Sequence, residues 1–181
     1  MSGGRISIDA VHKIPAFRNF NESECHQVAD IAQQVTFAPG EKVIEQGKTS
    51  QNLWIVCEGK CQVIKDSKEN GPLVLAELEP HNLFGELSFF SPAPHSASVV
   101  AKTPLTLLRI TRSDYDDLIC DGVVAAYKLA YNIVESVSTK LRRMDEWIAE
   151  LAGDHDIERP ASEKLPEWRQ FRNKLFNGWN L

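Results

Sequence analysis

Residues 53–64 have the sequence LWIVCEGKCQVI, in which two short apolar runs are separated by Glu58 and Gly59. Short runs that are rich in β-branched and aromatic residues are typical of β-strands. Glycine supplies the positive φ that hairpin turns require, so this stretch predicts two strands joined by a tight turn. Further runs of the same kind occupy residues 73–78, 98–101 and 105–110.

Glycine and proline interrupt residues 35–110 at short intervals. The interruptions are Pro39-Gly40, Gly47, Gly59, Gly71-Pro72, Pro80, Pro92 and Pro104. Many short strands at such spacing indicate an all-β sandwich or barrel. At Gly40, Gly47 and Gly59 we expect corners where the sheet bends sharply and where a Cβ atom would clash.

A helix is predicted before the strands. Asn21 and Glu24 have the spacing of a capping box, in which each side chain accepts from the other residue's backbone amide. Apolar residues then recur at the spacing of one helix face: Cys25, Val28, Ile31, Ala32 and Val35. This pattern predicts a helix that presents one apolar stripe to the core.

Two more helices are predicted after the strands, a short one at residues 113–119 and one of about eight turns that follows Asp121-Gly122. The long helix carries apolar residues in heptad a and d positions: Tyr127, Ala130, Val134, Val137, Leu141, Met144, Ile148 and Leu151. So narrow a seam suits another helix better than a sheet and predicts a parallel dimer. The alternative is that this stripe packs on the chain's own barrel.

The C-terminal residues form a separate segment. Residues 153–160 are polar with a breaker at each end, which predicts a linker. Beyond it Trp168, Phe171, Leu175 and Trp179 line one face of a short predicted helix. This aromatic stripe either folds back on its own dimer or binds a protein partner.

Bulk composition narrows the function classes. With 181 residues, 43% of them hydrophobic, the chain can bury one core with appendages. The net charge of -5 gives no general attraction for nucleic acid, and no apolar run predicts a membrane span or a signal peptide. We therefore expect a cytoplasmic protein whose four cysteines are reduced core thiols.

Two stretches resemble the cyclic-nucleotide-binding domains of bacterial catabolite activators and protein kinase A regulatory subunits. The first is FAPGEKVIEQGKTSQNLWIVCEGKCQV at residues 37–63, which resembles the opening strands. The second is FGELSFFSPAPHSASVVAKT at residues 84–103, which resembles the phosphate-binding cassette without insertion or deletion. The resemblance implies a mainly β fold, a jelly roll (double-stranded β-helix) with flanking helices and a long C-terminal dimerisation helix.

The resemblance also implies roles for individual residues. Gly85 would let the backbone approach the ligand, and Glu86 would accept from the ribose 2'-hydroxyl, although a backbone amide is an alternative partner for this carboxylate. Amides near the start of the cassette helix would face the cyclic phosphate. The implied cyclic-nucleotide-binding residues are Phe84, Gly85, Glu86, Leu87, Ser88, His95, Ser96, Ala97, Ser98 and Asp145, the last as a contact to the purine amino group or else a solvated helix charge.

The cassette departs from the family at His95, which stands where the family has arginine. Histidine cannot form the bidentate, permanently charged contact to the phosphate that arginine makes. Loss of the arginine contact is expected to cost about 1.5–3 kcal/mol of binding free energy, or roughly ten to a few hundred fold in affinity. His95 could still donate to an anion, more fully at low pH, or it could be a surface residue beside a pocket that no longer matters.

The sequence thus predicts an N-terminal arm (1–20), a cyclic-nucleotide-binding β-roll with helices (21–120), a long dimerisation helix (121–152) and a linker with an aromatic helix (153–181), without a DNA-binding domain. We expect a homodimeric sensor for a nucleotide such as cyclic AMP that signals through protein partners, with no nucleic acid or membrane partner. No cofactor, metal site or catalytic site is expected, since no nucleophile–base pair and no closely spaced metal ligands are evident. The alternative is a degenerate domain that has lost the ligand and serves as a dimeric interaction scaffold.

Overall fold

The structure is a computed structural model that describes residues 14–67 and 71–154, with no account of the side chains of Ser67 and residues 147–154. The predicted N-terminal arm up to residue 13 and the predicted aromatic helix at residues 168–179 lie outside the described residues. Two compact units divide the chain at Ser136 and Val137. The first unit holds every β-strand described below.

Among residues 14–67 and 71–154, eight strands form two antiparallel four-stranded sheets, as expected for a β jelly roll. The first sheet has the order β1-β8-β3-β6 and the second has the order β2-β7-β4-β5. The strands are β1 Gln33–Phe37, β2 Lys42–Ile44, β3 Asn52–Glu58, β4 Cys61–Ser67, β5 Gly71–Leu78, β6 Leu83–Phe84, β7 Ser98–Ala101 and β8 Leu105–Thr111.

The turn predicted at Glu58-Gly59 is not a hairpin. β3 and β4 flank it, yet β3 pairs with β6 and β8, while β4 pairs with β5 and β7. The chain therefore crosses from one sheet to the other at Gly59. Single-sequence patterns locate a turn but carry no information on which strands pair, and this is why the hairpin prediction was wrong.

Gly59 is required for two reasons. Its φ is +83°, and a Cβ atom built on it would lie 2.1 Å from the Pro104 carbonyl oxygen. Gly40 and Gly47 also have positive φ, but nothing lies within 4 Å of an added Cβ at either position. The clash expected at all three corners therefore occurs only at Gly59, and the other two glycines serve backbone conformation alone.

The core lies between the two sheets. Side chains of both sheets meet there because alternate strand residues point to the same face. One buried cluster consists of Ile44, Trp54, Val56, Cys61, Phe84, Val99, Ala101, Leu105 and Leu107. Trp54 and Phe84 stack with ring centroids 6.4 Å apart, and this places the start of the cassette against the core.

Helix α1 spans Glu22–Ile31 and begins at the predicted capping box. The Glu24 amide donates to Asn21 Oδ1 at 2.9 Å, and the Asn21 amide donates to Glu24 Oε2 at 2.8 Å. Cys25 and Val28 are buried as expected. Val35, which the sequence pattern placed on the same helical stripe, lies in β1, because the chain leaves helical geometry at Ala32.

Three helices follow along the chain: α2 Glu86–Phe90, α3 Arg112–Cys120 and α4 Val124–Asp154. In the first unit, α4 buries Ala125, Ala126, Leu129, Asn132 and Ile133. The predicted seam residues Tyr127 and Val134 lie on another face and are 53% and 60% exposed. The alternative in which these two residues pack on the chain's own barrel is therefore wrong.

Asn132 ties the first part of α4 to the chain before α1. The residue is 5% exposed, and its Nδ2 donates to the carbonyl oxygens of Ala16 and Arg18 at 2.9 Å each. Buried polar groups of this kind stabilise only when they are paired. The contact fixes the helix start against the body that carries the cassette.

We expect Gly59→Ala to destabilise the fold more than Gly40→Ala, the matched control. Both variants place a Cβ on left-handed backbone, at a cost of about 1–2 kcal/mol. Only Gly59→Ala also drives that atom into a backbone carbonyl, which adds about 1–3 kcal/mol of overpacking. Urea denaturation of both variants measures the difference, and equal losses in the free energy of unfolding would contradict the close approach at Gly59.

Candidate functional site

A left-handed turn at Gly85 shapes the site. Gly85 lies between β6 and α2 with φ +84°, and an added Cβ would lie 2.5 Å from the Asn52 carbonyl oxygen of β3. Glycine is therefore needed here for contact with the protein's own backbone. This close approach turns the chain at once into α2, so that Glu86 and Ser88 point inward and are 8% and 7% exposed.

The cassette encloses a concave pocket. Its volume is about 120 Å³, which is room for several water molecules or a ligand group. Eight of the ten residues assigned to the binding site from the sequence line it: Phe84, Gly85, Glu86, Leu87, Ser88, His95, Ser96 and Ala97. The residues that resemble the cassette are thus brought together around one cavity.

The remaining lining residues are apolar and were not predicted. They are Ile44 of β2, Val63 of β4 and Val99 of β7, which come from three neighbouring strands of the second sheet. The sequence signal for a strand was present at residues 61–64 and 98–101, but no pattern indicated which strand faces the cassette. These side chains form an apolar wall of the pocket, in addition to its polar groups.

Two predicted site residues do not line the pocket. Ser98 is 3% exposed, and its hydroxyl accepts from the Gln46 amide at 3.0 Å, so it connects β7 to the end of β2. Asp145 is exposed and belongs to the second unit. Its contact to a purine stays a prediction.

His95 is buried in the cassette. The residue is 8% exposed, with ring Nε2 2.8 Å from the Ser50 hydroxyl and Nδ1 3.1 Å from the Ser88 hydroxyl. Its backbone is also held, since its amide donates to the Lys48 carbonyl and its own carbonyl accepts from Gly47, both at 2.9 Å. The alternative that His95 is a surface residue is therefore wrong.

Burial lowers the pKa of His95 below its usual value. The ring is therefore neutral at physiological pH, with one nitrogen donating to a hydroxyl and the other accepting from one. The side chain acts as a bridge between α2 and the segment that precedes β3. A protonated imidazole that donates to an anion, one of the roles expected from the sequence, is disfavoured by this environment.

A chain of contacts leads from α2 to α4 within the first unit. The Phe89 carbonyl at the end of α2 accepts from Gln51 Nε2 at 3.2 Å and from Arg112 Nη1 at 3.1 Å. The Phe89 ring packs edge-on to Tyr115 at 5.3 Å, and the Tyr115 hydroxyl donates to the Ala126 carbonyl at 3.1 Å. These contacts connect α2 to the start of α4.

A metal site, a reactive thiol and a membrane-spanning helix have little support among the described residues. In that part of the chain no group of three His, Cys, Asp or Glu side chains could hold a metal ion. Burial raises the pKa of the Cys61 thiol to about 11, so it is protonated and unreactive at neutral pH. Within the same residues, no helix is long and apolar enough to cross a bilayer.

Comparison with known proteins agrees with this geometry. Residues 34–121 match the family model of the cyclic nucleotide-binding domain. Over 132 residues, or 73% of this chain, the sequence is 24% identical to the potassium channel SKOR of Arabidopsis thaliana. The match spans only 16% of that channel.

Solved structures have the same fold. A cyclic nucleotide-binding domain from Methylobacillus flagellatus superimposes with a TM-score of 0.71 at 22% identity, covering 79% of this chain and 80% of that one. The catabolite activator protein of Thermus thermophilus gives a TM-score of 0.69 at 28% identity, covering 76% of this chain and 62% of that one. The expected β jelly roll with flanking helices and a long C-terminal helix is therefore confirmed, whereas the dimerisation role of that helix stays a prediction.

The lowered pKa of His95 predicts a pH dependence of stability. In the unfolded chain His95 takes up a proton near the ordinary imidazole pKa of about 6.5, whereas the folded ring resists protonation. The stabilising contribution of neutral His95 should be complete above pH 7 and decline as the pH falls through about 6.5 towards the lower folded pKa. Denaturant unfolding at pH 7.5 and pH 5 should give wild type a larger loss of stability than His95→Gln, and identical losses in both proteins would contradict the buried neutral ring.

Proposed function

We propose, because residues 34–121 match the family model of the cyclic nucleotide-binding domain, that this chain is a regulatory sensor module that binds a nucleotide-type ligand in the cassette pocket. The observation that carries the proposal is the pocket beside Gly85, into which the buried residues Glu86 and Ser88 face. Domains of this family are regulatory sensors rather than catalysts. A catalytic role is therefore not proposed.

Glu86 is proposed to bind the ligand's ribose. A carboxylate is an acceptor only, with about four acceptor positions, so it can accept from a sugar hydroxyl as well as from protein donors. The apolar wall of Ile44, Val63 and Val99 gives the ligand a surface to pack against. Cyclic AMP is the first ligand to test, and its affinity should be modest because His95 stands in place of arginine.

Ligand binding is proposed to act on α4 through the contacts that begin at α2. A ligand shifts a conformational equilibrium only by binding one state better than the other. Here the moving part is α2, and Phe89 and Tyr115 connect it to the Ala126 carbonyl. The readout is a change in how α4 and the residues that follow it meet a protein partner.

The module is proposed to work as a homodimer through the exposed face of α4. Leu141 and Met144 in the second unit are 42% and 44% exposed, like Tyr127 and Val134 in the first. Apolar side chains at heptad positions are stabilised by burial against a second helix. We also propose that the module works in the cytoplasm and that its C-terminal residues bind a protein effector. The net charge of -5 does not favour a nucleic acid as the partner.

A second function is favoured by the absence of lysine and arginine among the described residues that line the pocket. In this second function the domain has lost its nucleotide and serves as a dimeric interaction scaffold. The two functions differ in one respect, which is whether any nucleotide-type ligand binds the pocket.

Restoring the arginine tests the pocket. His95→Arg should tighten binding of cyclic AMP by roughly tenfold or more, since a charge-assisted contact is worth about 1.5–3 kcal/mol. His26→Arg, on the exposed face of α1, adds the same charge away from the pocket and should change nothing. Calorimetric titration of the three proteins, after circular dichroism has verified their folds, measures the effect, and equal affinities would argue against the cassette as the binding site.

A charge placed in the seam tests the dimer. Leu141→Glu should convert a dimer to a monomer, because it puts a carboxylate into an apolar contact between two helices. Thr139→Glu is the control, since position 139 lies outside the a and d positions. Sedimentation equilibrium measures both, and a wild-type monomer, or a dimer that survives Leu141→Glu, would rule out this interface.

A further inference from the structure

Helix α2 is too short to hold its own position. It has five residues, and a helix of that length is not stable in isolation. Its place against the roll is therefore set by contacts with other parts of the chain. At the start of α2, Gly85 packs so closely on the Asn52 carbonyl that no side chain fits there. The contacts at the other end then decide whether α2 keeps its place.

Arg112 holds the end of α2. The carbonyl oxygens in the last turn of a helix have no partner within the helix. Here the Phe89 carbonyl oxygen accepts from Arg112 Nη1 at 3.1 Å, and Gln51 Nε2 donates to the same oxygen at 3.2 Å. Two side chains from distant parts of the sequence therefore satisfy one carbonyl at the end of α2.

Three aromatic rings surround the Arg112 guanidinium group. Its Cζ atom lies 5.9 Å, 6.0 Å and 5.8 Å from the ring centroids of Phe89, Phe90 and Tyr115. A cation within about 6 Å of a ring centroid is attracted to the ring, and more strongly where water is partly excluded. The Arg112 side chain is 32% exposed, so much of it is shielded from water. Two of the rings belong to α2 and the third to α3, so one cation attracts both helices.

The same side chain is anchored on α3. Arg112 is the first residue of that helix, and its Nε donates to Asp116 Oδ1 at 2.7 Å one turn further on. Its backbone amide donates to the Gln51 carbonyl at 3.0 Å. A guanidinium group presents its donors in a rigid planar fork, so Nε can bond to α3 while Nη1 bonds to α2. Arg112 is thus fixed to α3 while it holds α2.

We propose that Arg112 is the positioning residue that makes α2 and α3 move together, so that a ligand in the cassette pocket acts on α4 only while Arg112 is in place. This inference rests on the proposed function, because it assumes that a ligand displaces α2. It adds the side chain on which regulation depends, since Arg112 keeps Phe89 against Tyr115, whose hydroxyl donates to the Ala126 carbonyl. Without Arg112 the module binds its ligand and does not report it.

Amide chemical shifts measured by nuclear magnetic resonance during titration with cyclic AMP test the proposal. In wild type, changes at residues 85–88 should be accompanied by a change at Ala126. In Arg112→Gln the changes at residues 85–88 should persist, while the change at Ala126 falls roughly threefold or more relative to them. A purely structural role would lower the free energy of unfolding without altering this ratio, so an unchanged ratio would overturn the proposal.

Asp116→Asn is the matched control on α3. It removes the charge that pairs with Arg112 but leaves the contacts of Arg112 with the Phe89 carbonyl and the rings, and the asparagine oxygen can still accept from Nε. Its ratio should therefore stay close to that of wild type. A loss as large as that in Arg112→Gln would assign the effect to the ion pair within α3 and would overturn the proposal.

Hydrogen exchange in the ligand-free protein gives a second measurement. The Ser91 amide donates to the Leu87 carbonyl at 2.9 Å, a bond that is present only while α2 is formed. Arg112→Gln should raise the exchange rate of this amide by about tenfold or more, because a charge-assisted hydrogen bond is worth roughly that factor. An unchanged rate with normal binding of cyclic AMP would overturn this inference alone. No chemical shift change in wild type at millimolar cyclic AMP would overturn the proposed function and, with it, the regulatory role of Arg112.

Discussion

The left-handed backbone at Gly85 is the constraint on which the pocket depends. It lies so close to the Asn52 carbonyl of β3 that no side chain can be accommodated, and it turns the chain from β6 directly into α2. That turn buries Glu86 and Ser88, directs them to the cavity and sets Phe89 into contact with Tyr115. A single conformational requirement thus places both the polar groups of the site and its connection to α4.

His95 completes this arrangement in a way that changes its chemistry. In the family that the sequence resembles, arginine at this position contacts the phosphate, whereas here a neutral ring joins the hydroxyls of Ser50 and Ser88. The bridge stabilises the shape of the cassette while removing a charge from it. The shape of the pocket and the charge that it presents to a ligand are therefore set independently. The fold alone does not identify the ligand.

Much of the fold was predictable because its local signals are strong. The capping box at Asn21, the β-branched runs that became β3, β4, β5, β7 and β8, and the short helix before Gly122 all rest on interactions within a few residues of the chain. The strands β1, β2 and β6 were missed as separate elements: β2 and β6 have only three and two residues, and β1 has the sequence QQVTF, which begins with two polar residues and has no apolar run. The pairing of the strands was also missed, because the crossing at Gly59 is decided by contacts distant in sequence. The face of α4 that is buried in the first unit was missed as well, because Ala125 and Ala126 give a weak hydrophobic signal.

The part of the site that is continuous in sequence was predictable. The part that is assembled from strands distant in sequence was not. Residues 84–88 and 95–97 share a cavity, as the cassette resemblance implied, but the apolar wall comes from Ile44, Val63 and Val99 on three separate strands. The state of His95 could not be read from the sequence either, since burial and two hydroxyl partners set it.

The most direct test of the account is to map amide chemical shifts in the 20.3 kDa chain by nuclear magnetic resonance as cyclic AMP is added. Binding in the cassette pocket predicts that the largest shifts fall on residues 85–88 and 95–97, with smaller shifts at Tyr115 and Ala126 along the route to α4. Unchanged spectra, or shifts confined to residues outside the cassette, would contradict it.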